Sequence, residues 1–276
     1  MSTTVLPSIE QVPEAPAVVR DARRETIPPI TLGTVVGVEL RKMFDTRSGF
    51  WLMMSIGILS VVATGATILF APDDALTYGN FAAAIGFPMA VVLPMVAILS
   101  ITSEWSQRTG LTTFTLVPSR GRVILAKAIN ALVIGVVSMV IAGVVGALGN
   151  VVGTALAGVD TTWDFGVTDF LYVTLGNVLG MAIGFMLGVL IRNSAGAIVG
   201  YFVYSLLLPT ITSVLAETQQ WFRDAQPWVD FNYNANSLFE GGFTGENWAQ
   251  LALTGSIWLA LPLALGLWLV MRSEVK

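Results

Sequence analysis

Two residue types that commonly build active sites are missing from this chain of 276 residues. It has no cysteine, which excludes disulfides and thiolate metal sites. Cysteine usage therefore gives no information about the redox compartment. It has no histidine, which removes the commonest metal ligand and the usual general base. Charged residues make up only 12% of the chain and hydrophobic residues 54%, with a mean hydropathy of +0.74. This composition is too apolar for an ordinary soluble domain of such length.

Charge is nearly absent from six long apolar blocks. Each block has the roughly 20 residues that cross about 30 Å of hydrocarbon as a helix. A soluble helical core would need charged faces on these segments, and they have none. The blocks lie near residues 49–70, 78–100, 124–149, 170–191, 195–215 and 248–271. The sequence therefore predicts an all-α integral membrane protein with six transmembrane helices.

The six cores also lack acidic and basic side chains, with Lys127 counted as part of the polar segment that leads into the third block. Ion-driven transporters and proton pumps normally bury such groups, and intramembrane aspartyl proteases need a pair of aspartates. Metal and Ser-His proteases need histidine. The amides Asn130 and Asn177 remain, and such groups usually form hydrogen bonds across helix contacts. The sequence thus disfavours a pump or a membrane protease.

The N-terminal region divides into two parts. Residues 1–30 contain five prolines and mixed charge without an apolar core, which predicts a disordered cytoplasmic tail, not a signal peptide. The transmembrane domain is then predicted to span residues 31–276. Just before the first block, a helix would place four apolar side chains on one side and Glu39, Lys42 and Asp45 toward the other. Such a helix would lie in the membrane interface, although a plain connector is the alternative. The four apolar residues are Val36, Leu40, Met43 and Phe44.

Basic residues predict the orientation. If the blocks alternate across the bilayer, 13 of the 14 Lys and Arg residues fall on the side that holds both termini, and only Arg223 falls opposite. The positive-inside rule places both termini in the cytoplasm. The pI of 4.8 gives no reason to expect nucleic acid as a partner.

Glycine recurs with a helical spacing in the fourth block, "GNVLGMAIGFMLG". Gly176, Gly180, Gly184 and Gly188 fall on one helix face, where another backbone can approach closely. This face predicts either static helix packing or a sliding contact in a moving transporter.

The charges that the blocks lack are gathered in the stretch 101–128, "ITSEWSQRTGLTTFTLVPSRGRVILAKA". Burying five charged side chains in lipid would cost more than about 10 kcal/mol, so the stretch must lie at or beyond the membrane surface. A helix is predicted to start at Ser103, with Glu104 and Trp105 in its first turn. The stretch is either a solvated connector or a docking surface for a cytoplasmic partner.

This stretch resembles the segment between the second and third spans of type-2 ABC exporter permeases. The matching positions are Glu104, Arg108, Gly110, Leu111, Leu116, Pro118, Arg120 and Lys127. Two further segments agree: "VGVELRKMFDTRSGFW" resembles the family's amphipathic elbow helix, and "LGVLIRNSAGAIVG" resembles its tight turn between the fourth and fifth spans.

The resemblance implies a permease that works as a dimer in a plasma membrane, of bacterial type, with ATP bound and hydrolysed by a separate ATPase subunit. The chain itself has no Gly-rich phosphate-binding loop, so we expect no catalytic residue, cofactor site or metal site on it. Its expected partners are an ABC ATPase, a second permease chain, identical or different, and membrane lipid. The segment around Glu104 would be the coupling helix that contacts the ATPase. Its expected contact residues are Glu104, Trp105, Arg108, Gly110, Leu111, Pro118, Arg120 and Lys127.

Other readings stay open at this stage. A membrane scaffold or assembly factor without a transport path is the main alternative, and a membrane enzyme is a weaker one. The aromatic stretch 217–247 is predicted to lie outside as a membrane-interface anchor. The family places short re-entrant helices there, which leaves a gating role open.

Overall fold

The computed structural model describes residues 30–106 and 120–272, which form helices joined by short turns. In chain order the helices are α1 (Leu32–Asp45), α2 (Arg47–Phe70), α3 (Tyr78–Ser106), α4 (Arg120–Ala157), α5 (Val167–Ile191), α6 (Ser194–Thr218), α7 (Gln220–Val229), α8 (Phe231–Ser237) and α9 (Gly245–Arg272). No β-strand occurs in these two ranges, where an isolated bridge joins Thr77 to Thr162. The predicted all-α fold is confirmed.

Six helices, α2 to α6 and α9, are long and apolar enough to cross a membrane, as predicted. The largest difference from the predicted bounds is in α4, which has 38 residues and is therefore about 57 Å long. The sequence criterion ended this span at residue 149, where the apolar block ends. The helix continues because nothing in residues 150–157 breaks it. It stops before Gly158, whose φ of +70° is the left-handed conformation that commonly follows a helix.

Threonines mark the start of the first two helices. Thr31 accepts a hydrogen bond from the Thr34 N–H (3.2 Å), and Thr46 accepts one from the Gly49 N–H (3.1 Å). Thr46 has an extended backbone, so it ends α1 and begins α2 at the same residue. The chain can therefore turn sharply from α1, which packs along α4, into the first span. Apart from Ile30, the predicted tail lies outside the described residues.

Helix α3 is the centre of the bundle. It contacts α2, α4, α5 and α6, and 61% of its most apolar window is buried, against 17% for α2. Pro94 lies inside this helix and has no N–H to donate to the carbonyl of Ala90. The hydroxyl of Tyr201 on α6 donates to that carbonyl instead, at 2.9 Å. A cross-helix hydrogen bond thus satisfies the group that the proline leaves open.

The turn between the fourth and fifth spans is only two residues long. Arg192 ends α5 in the left-handed conformation, with φ of 54°. The next residue, Asn193, caps α6 through a hydrogen bond from the Gly196 N–H to its side-chain oxygen (2.9 Å). The expected tight turn is present, and it holds α5 and α6 side by side.

The stretch 217–247 folds back along the bundle. It forms α7 and α8, and the indole N–H of Trp258 donates to the carbonyl of Val229 at 2.7 Å. Trp258 is the fourteenth residue of the 28 in α9, so the end of α7 reaches the middle of that span. The short helices α7 and α8 agree with the re-entrant alternative for this part, and anchoring of its aromatic residues at the membrane interface stays a prediction. Local sequence could not show the path of this segment, because the path depends on contacts with α9.

Candidate functional site

Three buried charged side chains meet at one end of the bundle. Glu104 lies in the last turn of α3, Lys127 in the second full turn of α4, and Glu39 near the middle of α1. The Lys127 ammonium lies 3.2 Å from Glu104 Oε1 and 2.5 Å from Glu39 Oε2. Their exposed fractions are only 3% for Glu39, 4% for Glu104 and 5% for Lys127. One lysine therefore joins α3 and α1 to α4.

A fourth charge completes this group, which we call the ionic cluster (Glu39, Lys42, Glu104 and Lys127). The Lys42 ammonium lies 2.7 Å from Glu39 Oε1 and 3.6 Å from Glu104 Oε1, and its side chain is partly exposed. With two acidic and two basic groups, the cluster is neutral overall. A buried charge left without its partner costs several kcal/mol, so the four side chains depend on one another.

The electrostatics of Lys42 follow from its position at the edge of the cluster. Partial burial by itself lowers the pKa of Lys42, but hydrogen bonding and attraction from Glu39, with a further contribution from Glu104, raise it above the usual value. Because the folded-state pKa is raised, the stabilisation is fully present at neutral pH. It is lost only as the pH rises through the folded-state pKa. The side chain of Lys42 is therefore charged at neutral pH.

Two polar contacts extend the cluster to neighbouring elements. The side-chain amide of Asn130 donates to the carbonyl of Val36 at 2.9 Å, which adds a second link between α4 and α1. The guanidinium of Arg120 donates to the carbonyl of Val270 at 3.2 Å. Val270 lies in the last turn of α9, where carbonyls lack helical partners and favour a cation. The start of α4 is thus fixed to three other helices.

The structure brings together only part of the predicted coupling set. Glu104, Arg120 and Lys127 lie at the same end of the bundle, and Trp105 packs partly buried against the hydrophobic core. The other predicted members, Arg108, Gly110, Leu111 and Pro118, lie outside the described residues. The helix predicted to start at Ser103 is not separate, because α3 continues without a break to Ser106. Glu104 thus ends a span and does not begin a new helix.

Sequence reasoning placed Glu39 and Lys42 toward the polar side of α1. The structure instead turns Glu39 inward with Val35, one helical turn earlier, while Phe44 is 46% exposed. The spacing of Val35 and Glu39 puts them on one face, and that was the available signal. It was not decisive, since burial of Glu39 is favourable only when cations face it, and the buried one, Lys127, lies on another helix.

The four glycines of α5 contact more than one neighbour. A methyl group on Gly184 would lie 2.8 Å from the carbonyl oxygen of Pro94, and one on Gly188 would collide with Ile101, so both face α3. A methyl on Gly176 would lie 2.9 Å from the ring of Phe239. Gly180 is less crowded, since its nearest neighbour would be the Tyr201 hydroxyl at 3.6 Å. Close backbone approach is therefore found at Gly184, whereas Gly188 makes room for the side chain of Ile101.

The six spans and the charged cluster at one end of the bundle define a multi-pass α-helical membrane protein. The family model described as ABC-2 family transporter protein matches residues 20–275. The chain belongs to this family and is a membrane permease subunit of an ABC transporter, not its ATPase. Comparison with curated proteins found no match.

Proposed function

We propose that this permease subunit exports its substrate as part of a dimer and is driven by separate ATPase subunits through residues 101–128. The ionic cluster is the observation that carries the proposal. Glu104 lies near the start of this segment and Lys127 near its end, and the Lys127 ammonium is 3.2 Å from Glu104 Oε1. A force applied to the residues between them would reach α3 and α4 together.

The same cluster would pass this motion to α1. Lys127 is paired with Glu39, and Asn130 holds the Val36 carbonyl. Helices linked by buried ion pairs and hydrogen bonds move as a unit more readily than they separate, because separation would leave charges unpaired. In this proposal α1 and the charged ends of α3 and α4 form one lever, and the ATPase acts on it.

The family and the exposed apolar surfaces support the remaining parts of the proposal. ATP would be bound by the partner subunit, with no cofactor on this chain and no nucleic acid involved. The most apolar windows of α2, α6 and α9 are only 17%, 6% and 17% buried, which leaves wide apolar surfaces for lipid and a second permease chain. The complex would lie in a bacterial plasma membrane with both termini of this chain in the cytoplasm.

We expect Glu104→Gln to weaken coupling. The amide keeps the size of the side chain but removes the charge that faces Lys127, while Glu39 still neutralises this lysine. We expect ATPase activity that depends on the permease to fall about tenfold, which corresponds to about 1.4 kcal/mol. The measurement is ATP hydrolysis by the co-purified complex in lipid vesicles.

Glu217→Gln is the matched control, since Glu217 is exposed and lies at the far end of α6. It should leave ATP hydrolysis unchanged. Normal ATPase association and normal transport by Glu104→Gln would show that residues 101–128 are only a connector. Failure of any ATPase to co-purify with the unaltered chain would favour a scaffold.

The orientation can be tested with single cysteines, because the chain has none of its own. Ser119→Cys would lie between the second and third spans, and Thr244→Cys would lie at the start of α9, at the opposite end of the bundle, where Thr244 is the helix cap. We expect an impermeant thiol reagent to label position 244 in intact cells and position 119 only after lysis. Labelling of position 119 in intact cells would show that the orientation is opposite to the proposed one.

A further inference from the structure

A carboxylate is buried where α7 turns into α8. Asp230 is the residue between these helices and is 6% exposed. One of its oxygens accepts the Tyr233 N–H (3.1 Å), and the other accepts the side-chain amide of Gln226 (3.3 Å). A carboxylate has about four lone-pair positions, so two neutral donors leave acceptor capacity unused.

Asp230 lies near the middle of the membrane domain. Its neighbour Val229 accepts a hydrogen bond from Trp258, the fourteenth of 28 residues in α9. On the other side, Tyr204 packs against the hydrophobic cluster that contains Phe231, the residue after Asp230, and Tyr204 is the eleventh of 25 residues in α6. Two spans thus place the turn about halfway along their length. Broken helices that end at mid-membrane commonly build binding sites in transporters.

Among the described residues, no basic side chain forms an ion pair with this carboxylate. In the described ranges, the ion pairs of Lys and Arg all belong to the ionic cluster at the other site. Arg223, on the same helix as Gln226, donates instead to the carbonyls of Ala216 (2.9 Å) and Glu217 (3.0 Å). An acidic group within a membrane domain is costly, and such groups mark functional sites unless they are paired.

A tyrosine hydroxyl and two irregular helical turns surround Asp230. Within the described part of the chain, the buried Tyr204 hydroxyl has no hydrogen-bond partner of normal geometry, although Asn232 and Asp230 are near. Both flanking spans change to a π-helical turn at this level, at Val203–Leu207 in α6 and at Ser256–Ala260 in α9. Such turns are rare and frequently occur at functional sites. The buried carboxylate, a tyrosine hydroxyl and two π-helical turns therefore lie at the same level of the bundle.

We propose that Asp230, with Tyr204 and Asn232, binds the protonated primary amine of an amphiphilic substrate. The ammonium group would supply the missing positive charge and donate to the carboxylate and to the phenol oxygen, while Asn232, whose amide oxygen accepts from Asn236 (2.5 Å), would position these groups. This inference rests on the proposed export function and names the substrate class for it. The apolar part of the substrate would be accommodated among the surrounding spans.

Binding is tested on the full chain in lipid nanodiscs by titration calorimetry, with empty nanodiscs as the baseline. The probes are n-alkylamines of about four to ten carbons, a length range within the span of one leaflet, and the n-alkanols of equal length. We expect saturable binding of amines but not of alkanols. Asp230→Asn should weaken amine binding about tenfold or more, since it removes the charge. Asparagine is an equally good helix cap, so the fold should persist.

Two further variants separate recognition from structure. Asp224→Asn removes an exposed carboxylate of α7 and should leave amine binding unchanged. Tyr204→Phe should weaken amine binding about threefold with little loss of thermal stability, because among the described residues the hydroxyl makes no hydrogen bond of normal geometry. Absence of saturable amine binding, or equal binding by Asp230→Asn, would reduce Asp230 to a helix cap and overturn the proposal. The export proposal is judged separately, from ATPase association and ATP hydrolysis by the unaltered complex and by the Asp224→Asn complex, which should both be normal.

Discussion

Lys127→Met should destabilise the protein more than loss of any other single charge in the ionic cluster. Methionine fills a similar volume, but Glu39 and Glu104 would then face each other while both stay buried. Only the partly exposed Lys42 would remain to compensate them. Leaving a buried charge unpaired costs about 3–5 kcal/mol, a large part of a typical stability of about 5–15 kcal/mol. The readout is the melting temperature of detergent-purified protein, followed by size-exclusion chromatography.

Lys42→Met is the control, because it removes a lysine from the same cluster at an exposed position. We expect a loss of about 1 kcal/mol or less, as for other exposed ion pairs. Adding Glu39→Gln to Lys127→Met should restore part of the stability, since a single carboxylate is then left with Lys42. Equal melting temperatures for Lys42→Met and Lys127→Met, or no recovery in the double variant, would show that charge pairing does not hold this junction.

Gly184→Ala should have the second large effect. The added methyl would lie 2.8 Å from the Pro94 carbonyl oxygen and 3.1 Å from its Cα, and both are backbone atoms that no rotamer change can move. Helices α3 and α5 would have to separate, although α3 is the centre of the bundle. Overpacking of this kind costs about 1–3 kcal/mol. Thermal stability in detergent measures the loss.

Gly180→Ala is the matched control, one turn earlier on the same helix. Its methyl would have 3.6 Å to the nearest atom, and alanine favours the helix by about 1 kcal/mol over glycine. We therefore expect unchanged or slightly higher stability. If both variants melt at the same temperature, contact between the added methyl and the Pro94 backbone does not destabilise the protein. A disturbed bond between Tyr201 and the Ala90 carbonyl would then be the next contact to examine, by Tyr201→Phe.

The number and nature of the spans could be predicted from local sequence. A membrane helix satisfies its own backbone hydrogen bonds, so length and hydrophobicity are enough to recognise it. Helix caps such as Thr46 and Asn193 are also local, because each bonds to an amide three residues away. The segment 101–128 could be recognised from its concentration of charge. That Glu104 contacts an ATPase remains a prediction.

Contacts between distant residues could not be predicted in this way. Helical periodicity alone left the inward face of α1 open, and the position of Lys127 on α4 settles that Glu39 is buried. The sequence around Pro94 does not show that Tyr201, on another helix, donates to the carbonyl of Ala90. In each case the partner lies far away in the chain, so no local pattern contains it.

Asp230 shows the difference most clearly. In the sequence it stands in a polar, aromatic stretch between two apolar blocks, where an aspartate is normally solvated. Folding carries it to the level of Trp258 and Tyr204, because α7 and α8 pack back between the spans. Hydropathy and helix length are properties of a segment, and they predict which segments cross the membrane. Which charged residues become buried inside the protein depends on how those segments pack against one another.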